Sequence, residues 1–146
     1  MLGPFVINQS QMSDMAKRWS LIHSDFPKGV FFMHGEMGAG KTTWIASVLR
    51  GMGVSESVTS PTFGLIHHYQ VGELLALHAD LFRLASTEDV LNTGLIDEIE
   101  NADLIWIEWP DKALIQSDLI FKFRYLNDLE RELCVEPCTD FGEFLC

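Results

Sequence analysis

Residues 35 to 42 read Gly35-Glu-Met-Gly-Ala-Gly-Lys41-Thr42, a full match to G-x-x-x-x-G-K-[ST], and they follow directly on the apolar run Gly29-Val-Phe-Phe-Met-His34. That run is short, rich in β-formers and bounded by glycines, as expected of a buried central strand. Thr42 to Arg50 has helical composition and stops at Gly51-Met-Gly53. In such a strand-turn-helix unit, successive main-chain N–H groups curl around phosphate oxygens, glycines leave room for them, and the helix aims its positive end at the same anion. The order of elements therefore predicts an α/β fold: a P-loop NTPase domain, three-layered, with a mostly parallel central sheet. In that frame Lys41 reaches the β- and γ-phosphates and Thr42 ligates magnesium, which makes ATP with Mg2+ the expected ligand.

The rest of the composition sets limits on this reading. A chain of 146 residues with 47 % hydrophobic content suits one buried core, so a single domain over 1–146 is expected. No apolar run approaches the roughly 18 to 20 residues of a membrane span, and the N-terminus lacks the pattern of a signal peptide. The expectation is a cytoplasmic protein that makes no membrane contact. The three cysteines, Cys134, Cys138 and Cys146, crowd the tail, are odd in number and match no zinc spacing, which fits reduced thiols. With 10 Lys and Arg against 21 Asp and Glu, the net charge is −11. Such a surface repels nucleic acid, so a polyanion must be held locally and a macromolecular partner should offer a basic face.

Further elements follow from pattern. Pro4 to Ile7 reads as a short edge strand, and Ser10 as the N-cap of a helix whose apolar positions are Met12, Met15, Ala16, Trp19 and Ile22. Residues 54 to 62 form a polar loop ending in Ser60-Pro61-Thr62. Phe63 to Tyr69 and Leu74 to Asp80 are strands of a hairpin that turns near Val71-Gly72-Glu73. Ser86-Thr-Glu-Asp89 resembles a capping box that opens a helical stretch, continuing in pieces to Asn101. Leu104-Ile-Trp-Ile-Glu108 is a second very apolar strand closed by Pro110, and Ile120 to Tyr125 and Glu132 to Glu136 are late strands, expected to be antiparallel.

A P-loop needs a carboxylate on a neighbouring strand to keep magnesium oriented. Glu108 is the candidate, because it ends an apolar strand at the edge where nucleotides bind in open α/β sheets. The alternative is a solvated carboxylate at a strand end. Asp80, in Leu77-His-Ala-Asp80-Leu-Phe-Arg83, has two readings as well: it orients or deprotonates an attacking water, or it caps a helix or pairs with Arg83. The segment Thr59-Ser-Pro-Thr62 is either a switch that senses the γ-phosphate or an ordinary polar turn. The histidines, His78 included, read as structural.

Gly35 to Thr43, Ser60-Pro-Thr-Phe63, His78-Ala-Asp-Leu-Phe-Arg83 and Ile107-Glu-Trp-Pro110, in this order and spacing, closely resemble the bacterial TsaE family over about Ser10 to Tyr125. That resemblance implies the ATPase subunit of the machinery that makes threonylcarbamoyladenosine in tRNA. It implies that Gly35, Glu36, Met37, Gly38, Ala39, Gly40, Lys41, Thr42 and Thr43 hold ATP, and that Thr42 and Glu108 hold Mg2+. It further implies that Asp80 assists hydrolysis, that the loop carrying Thr62 is a switch, and that Trp109 lies beside the site. Ser10 and a late arginine, Arg131, are brought towards the base. The implied partners resemble TsaD and TsaB, with tRNA reached only through the complex, and hydrolysis drives or resets that complex. Two other readings stand beside this one: a small-molecule kinase using the same loop, and a nucleotide-gated binding module without turnover.

Overall fold

The computed structural model of the chain describes residues 1–22, 28–61 and 65–138. The strands are β1 (Leu2–Asn8), β2 (Gly29–His34), β3 (Ile66–Val71), β4 (Leu74–Asp80), β5 (Leu104–Glu108), β6 (Leu119–Tyr125) and β7 (Glu130–Pro137). The helices are α1 (Gln9–Ile22), α2 (Lys41–Gly51), α3 (Thr87–Asn92) and α4 (Leu95–Asn101). All strands join one seven-stranded sheet in the order β1-β7-β6-β2-β5-β4-β3. Its centre is parallel, β2 pairing with both β5 and β6 and β4 with β5, while β3, β7 and β1 add antiparallel flanks.

Alternation along the central strands supplies two hydrophobic cores. On one face Phe31, Met33, Trp106 and Phe121 pack with Met12, Ala16 and Trp19 of α1 and with Trp44, Ile45 and Val48 of α2. On the other, Val30, Phe32, Ile105 and Ile107 pack with Val90 of α3 and with Leu95 and Ile99 of α4. The period-two switch of side chains thus yields three layers from strands that read as continuously apolar. Aromatic rings dominate the first core: Trp19 stands edge-on to Phe31 at 5.2 Å between centroids, and Trp44 lies 5.3 Å from Phe121. Removing such rings from water contributes roughly 1.5 to 3 kcal/mol each.

Local signals behave largely as their chemistry dictates. Ser86 Oγ accepts from Asp89 N at 3.1 Å and Asp89 Oδ2 accepts from Ser86 N at 3.0 Å, a reciprocal capping box at the start of α3. Gly94, at φ 77°, divides α3 from α4. Ser10 does not cap α1. Asn8 does so: its Oδ1 accepts from Gln11 N and its own N–H donates to Gln11 Oε1, both at 2.9 Å. An asparagine with a glutamine three residues on satisfies two helix-end groups reciprocally, which one serine at position 10 cannot do. The hairpin turns at Gly72-Glu73, with Val71 and Leu74 paired across it. Its first strand begins at Ile66, and the expected start at Phe63 lies outside the described residues.

No helix among the described residues is long and apolar enough to cross a membrane. Cys134 and Cys138 are free thiols.

Candidate functional site

The carboxyl ends of the parallel strands meet above α2, and the P-loop bridges them. Gly35, Gly38 and Gly40 take φ values of 145°, 77° and 106°, which side-chain-bearing residues adopt only with strain. A Cβ on Gly35 would stand 2.5 Å from the Phe123 carbonyl oxygen, a backbone atom that cannot move aside cheaply. Gly40 opens α2 with no side-chain cap, so no side chain occupies the anion-attracting end of the helix.

Lys41 is 4 % exposed and its Nζ donates to the carbonyls of Gly35 at 2.7 Å and Glu36 at 2.9 Å. Its Nζ also lies 4.4 Å from the Trp109 ring centroid. Burial pushes the Lys41 pKa down, opposed by the charges of Glu108, Asp80 and Glu36. Trp109 takes a left-handed conformation, φ 56° and ψ 56°, at the bend between β5 and Pro110. Such strain in a bulky residue persists only where its surroundings impose it. Here Trp109 N donates to Met33 O at 3.3 Å, and the ring packs 4.9 Å from Phe82.

Glu108 is 3 % exposed, and its Oε1 accepts from Thr42 Oγ1 at 2.6 Å and faces His78 Nε2 at 2.9 Å. Asp80 stands opposite Glu108 in the parallel register of β4 and β5. Its Oδ2 accepts from Ser60 Oγ and its Oδ1 from Phe82 N, both at 2.9 Å. Asp80, Glu108, Lys41, Thr42, Trp109 and Ser60 all line a cavity of about 390 Å³. A smaller one of about 140 Å³ adjoins it across Gly38, Gly40 and Thr43, and is completed by Gln9, Met12 and Arg131.

The expected site residues therefore divide by position. Met37, Gly38, Gly40, Lys41, Thr42, Thr43, Asp80, Glu108 and Trp109 line the larger cavity, and Arg131 lines the smaller. Gly35 and Ala39 line neither cavity; Ala39 is fully buried. Glu36 lines neither cavity, and its Oε1 accepts from Tyr125 N at 2.8 Å, tying the loop to the end of β6. Ser10 is exposed and lines neither cavity; its neighbours Gln9 and Met12 do so instead. Thr62 lies outside the described residues. Sequence reasoning assigned His78 no role, and it gave Ser60 only as part of a switch or polar turn, without its bond to Asp80. Strand alternation, which puts His78 on the face of Asp80, was the available signal.

The donor set suits a magnesium-bound triphosphate. No three His, Cys, Asp or Glu side chains cluster as metal ligands among the described residues. A hydroxyl bonded to one buried carboxylate fits instead a site that phosphate oxygens and water would complete. The uncapped helix start and the Lys41 ammonium supply the matching positive charge.

A family model described as "Threonylcarbamoyl adenosine biosynthesis protein TsaE" matches residues 6–133, most of the chain. The chain belongs to the TsaE family. A TsaE protein of Haemophilus influenzae is 33 % identical over 100 residues, 66 % of this chain and 63 % of the relative, so the match spans less than two thirds of that protein. TsaE of Rickettsia felis is 32 % identical over 130 residues, covering 87 % of this chain and 74 % of the relative. TsaE of Bacillus subtilis is 31 % identical over 123 residues, 82 % and 77 % of the two chains. The crystal structure of Bacillus subtilis YdiB superposes with a TM-score of 0.75 at 25 % identity, covering 100 % of this chain and 93 % of that one. The TsaE match extends past Tyr125, where the sequence resemblance was placed, to Leu133, and so takes in Arg131.

Proposed function

We propose that this TsaE-family chain binds ATP with Mg2+ at the P-loop and hydrolyses it, as the nucleotide-driven subunit of a cytoplasmic assembly that makes threonylcarbamoyladenosine in tRNA. The single observation that carries the reading is the 2.6 Å bond between Thr42 and Glu108, residues 66 positions apart. A hydroxyl from the P-loop helix and a buried carboxylate from the adjacent parallel strand are the two groups this chemistry requires together.

The roles follow from position. Lys41 exchanges its bonds to the loop carbonyls for phosphate oxygens. Main-chain N–H groups from Gly38 to Thr43 carry much of the anion binding, as a cradle that needs no side chains. Thr42 and Glu108 would hold magnesium, which when bound neutralises charge developing on the phosphate oxygens. Asp80 orients or deprotonates the attacking water, and the loop that carries Thr62 is the switch, with Ser60 donating to Asp80. Trp109 shields Lys41 from water. The nucleoside falls towards the smaller cavity, where Arg131 and the Gln9-to-Met12 turn of α1 stand. A net charge of −11 favours docking against basic proteins resembling TsaD and TsaB, with tRNA engaged through them.

The test is ATP titration by calorimetry with and without Mg2+, followed by phosphate release with and without the two partners. Magnesium-dependent binding and partner-stimulated release are expected. No heat from well-folded protein, or release that requires a small-molecule phosphate acceptor, would overturn the reading.

A further inference from the structure

The buried imidazole of His78 is the group in the site that P-loop chemistry does not call for. It is 0 % exposed on β4, two residues before Asp80, and its Nε2 lies 2.9 Å from Glu108 Oε1. Its Nδ1 is buried without a hydrogen-bond partner among the described residues. A fully buried ring with one nitrogen unsatisfied is a poor filler for a core, since an apolar side chain of similar size would leave nothing unpaired. The bond to Glu108 is what distinguishes histidine from such a residue here. Against an ionised Glu108, which can only accept, Nε2–H is the donor of this bond.

Glu108 has reason to need a second anchor. A glutamate has one more side-chain torsion than an aspartate, so holding its carboxylate in a single place costs more conformational freedom. Thr42 approaches from the start of α2 and His78 from β4, and both meet the same oxygen, Oε1. Oε2 accepts no hydrogen bond among the described residues, and Glu108 lines the larger cavity. We propose that His78 is a positioning residue that pins Glu108 through Oε1, leaving Oε2 presented to the divalent cation and its water shell. This rests on the reading of Glu108 as a magnesium-site residue. Ligand carboxylates held by a donor behind them bind metal more tightly because their orientation is settled beforehand.

The experiment uses the full chain and calorimetric ATP titrations at graded MgCl2, with loss of the free Mn2+ spin-resonance signal as a second readout. His78→Leu removes the donor, while His78→Gln keeps an N–H near the Nε2 position. In His78→Leu the Mg2+ concentration for half-maximal tightening of ATP binding should rise about tenfold, with metal-free ATP affinity unchanged. His78→Gln should recover most of that loss, and in a Glu108→Gln background His78→Leu should add nothing. An unchanged Mg2+ requirement in His78→Leu, an equal loss with and without metal, or an undiminished effect beside Glu108→Gln would overturn the proposal. If His78→Leu fails to fold, His78→Asn replaces it, because its shorter amide cannot reach Glu108; equal behaviour of the Asn and Gln variants would then refute positioning. A parent protein whose ATP binding ignores Mg2+ would remove the reading of the site itself, whereas a magnesium-dependent parent with an indifferent His78→Leu removes only the role of His78.

Discussion

Lys41 Nζ sits 4.4 Å from the centre of the Trp109 ring while its protons go to the carbonyls of Gly35 and Glu36 at 2.7 and 2.9 Å. The ammonium of this largely buried lysine is thus held by neutral acceptors and a π face, with the buried Glu108 lining the same cavity. Any phosphate that recruits Lys41 must change its contact with Trp109. Added Mg-ATP should therefore alter tryptophan emission, and Trp109→Phe should abolish the change although three other tryptophans remain. Lys41→Met should weaken ATP binding by about 100-fold, roughly the value of a charge-assisted phosphate pair. The same variant should unfold at the parent temperature or above it, by up to about 1 kcal/mol in stability, because it removes a buried charge.

Burial lowers the Lys41 pKa, which gives the alkaline pH dependence a sign. At low pH the ammonium is charged in the folded and unfolded chain alike, and the fold carries the desolvation cost. As pH rises through the lowered folded value, the folded chain releases its proton first and that cost disappears. Stability contributed by this site should rise between the folded and the ordinary lysine value, while phosphate affinity falls across the same window. Thermal melts and ATP titrations from neutral to alkaline pH, compared with Lys41→Met, check both slopes; Lys41→Met should show neither.

Asp80 accepts from Ser60 Oγ and Phe82 N, bonds that an amide of the same shape can largely replace. Asp80→Asn should keep nucleotide affinity within about threefold and lower partner-stimulated phosphate release by about 100-fold, since it removes the base and not the binding surface. Ser60→Ala frees Asp80 Oδ2 and should change turnover while leaving Mg2+ dependence intact. Equal losses of binding and turnover in Asp80→Asn would contradict this assignment.

Two glycines of the loop should respond differently to alanine. A Cβ on Gly35 meets the Phe123 carbonyl at 2.5 Å, whereas one on Gly38 meets nothing within 4 Å. Both carry positive φ, so each substitution costs about 1 kcal/mol of backbone strain. Gly35→Ala adds a clash between main-chain segments and should lose about 2 kcal/mol more in denaturant unfolding, together with ATP binding. Equal stability of the two variants would count against the observed packing of β6 on the loop.

Sequence and structure each decided different things here. Gly35 to Thr42 and the apolar strands flanking it were legible because their rules are local: glycine where φ is positive, β-formers where both faces are covered, a capping box at Ser86 and Asp89. The place of Glu108 at the end of β5 was legible, since a strand end can be located from apolar periodicity. What the linear pattern did not contain is which donor reaches which acceptor. Asn8 rather than Ser10 capping α1 turned on a reciprocal bond with Gln11, and Gln9 and Met12 rather than Ser10 reached the smaller cavity in a helix that begins two residues earlier than a cap at Ser10 implies. His78 read as an ordinary strand histidine, because its value lies in Glu108, 30 positions away and brought beside it only by parallel pairing of β4 with β5. Local conformational preference is written in neighbouring residues; the orientation of a buried carboxylate depends on α2 and β4 bringing Thr42 and His78 to the same oxygen, and only the packed chain determines that.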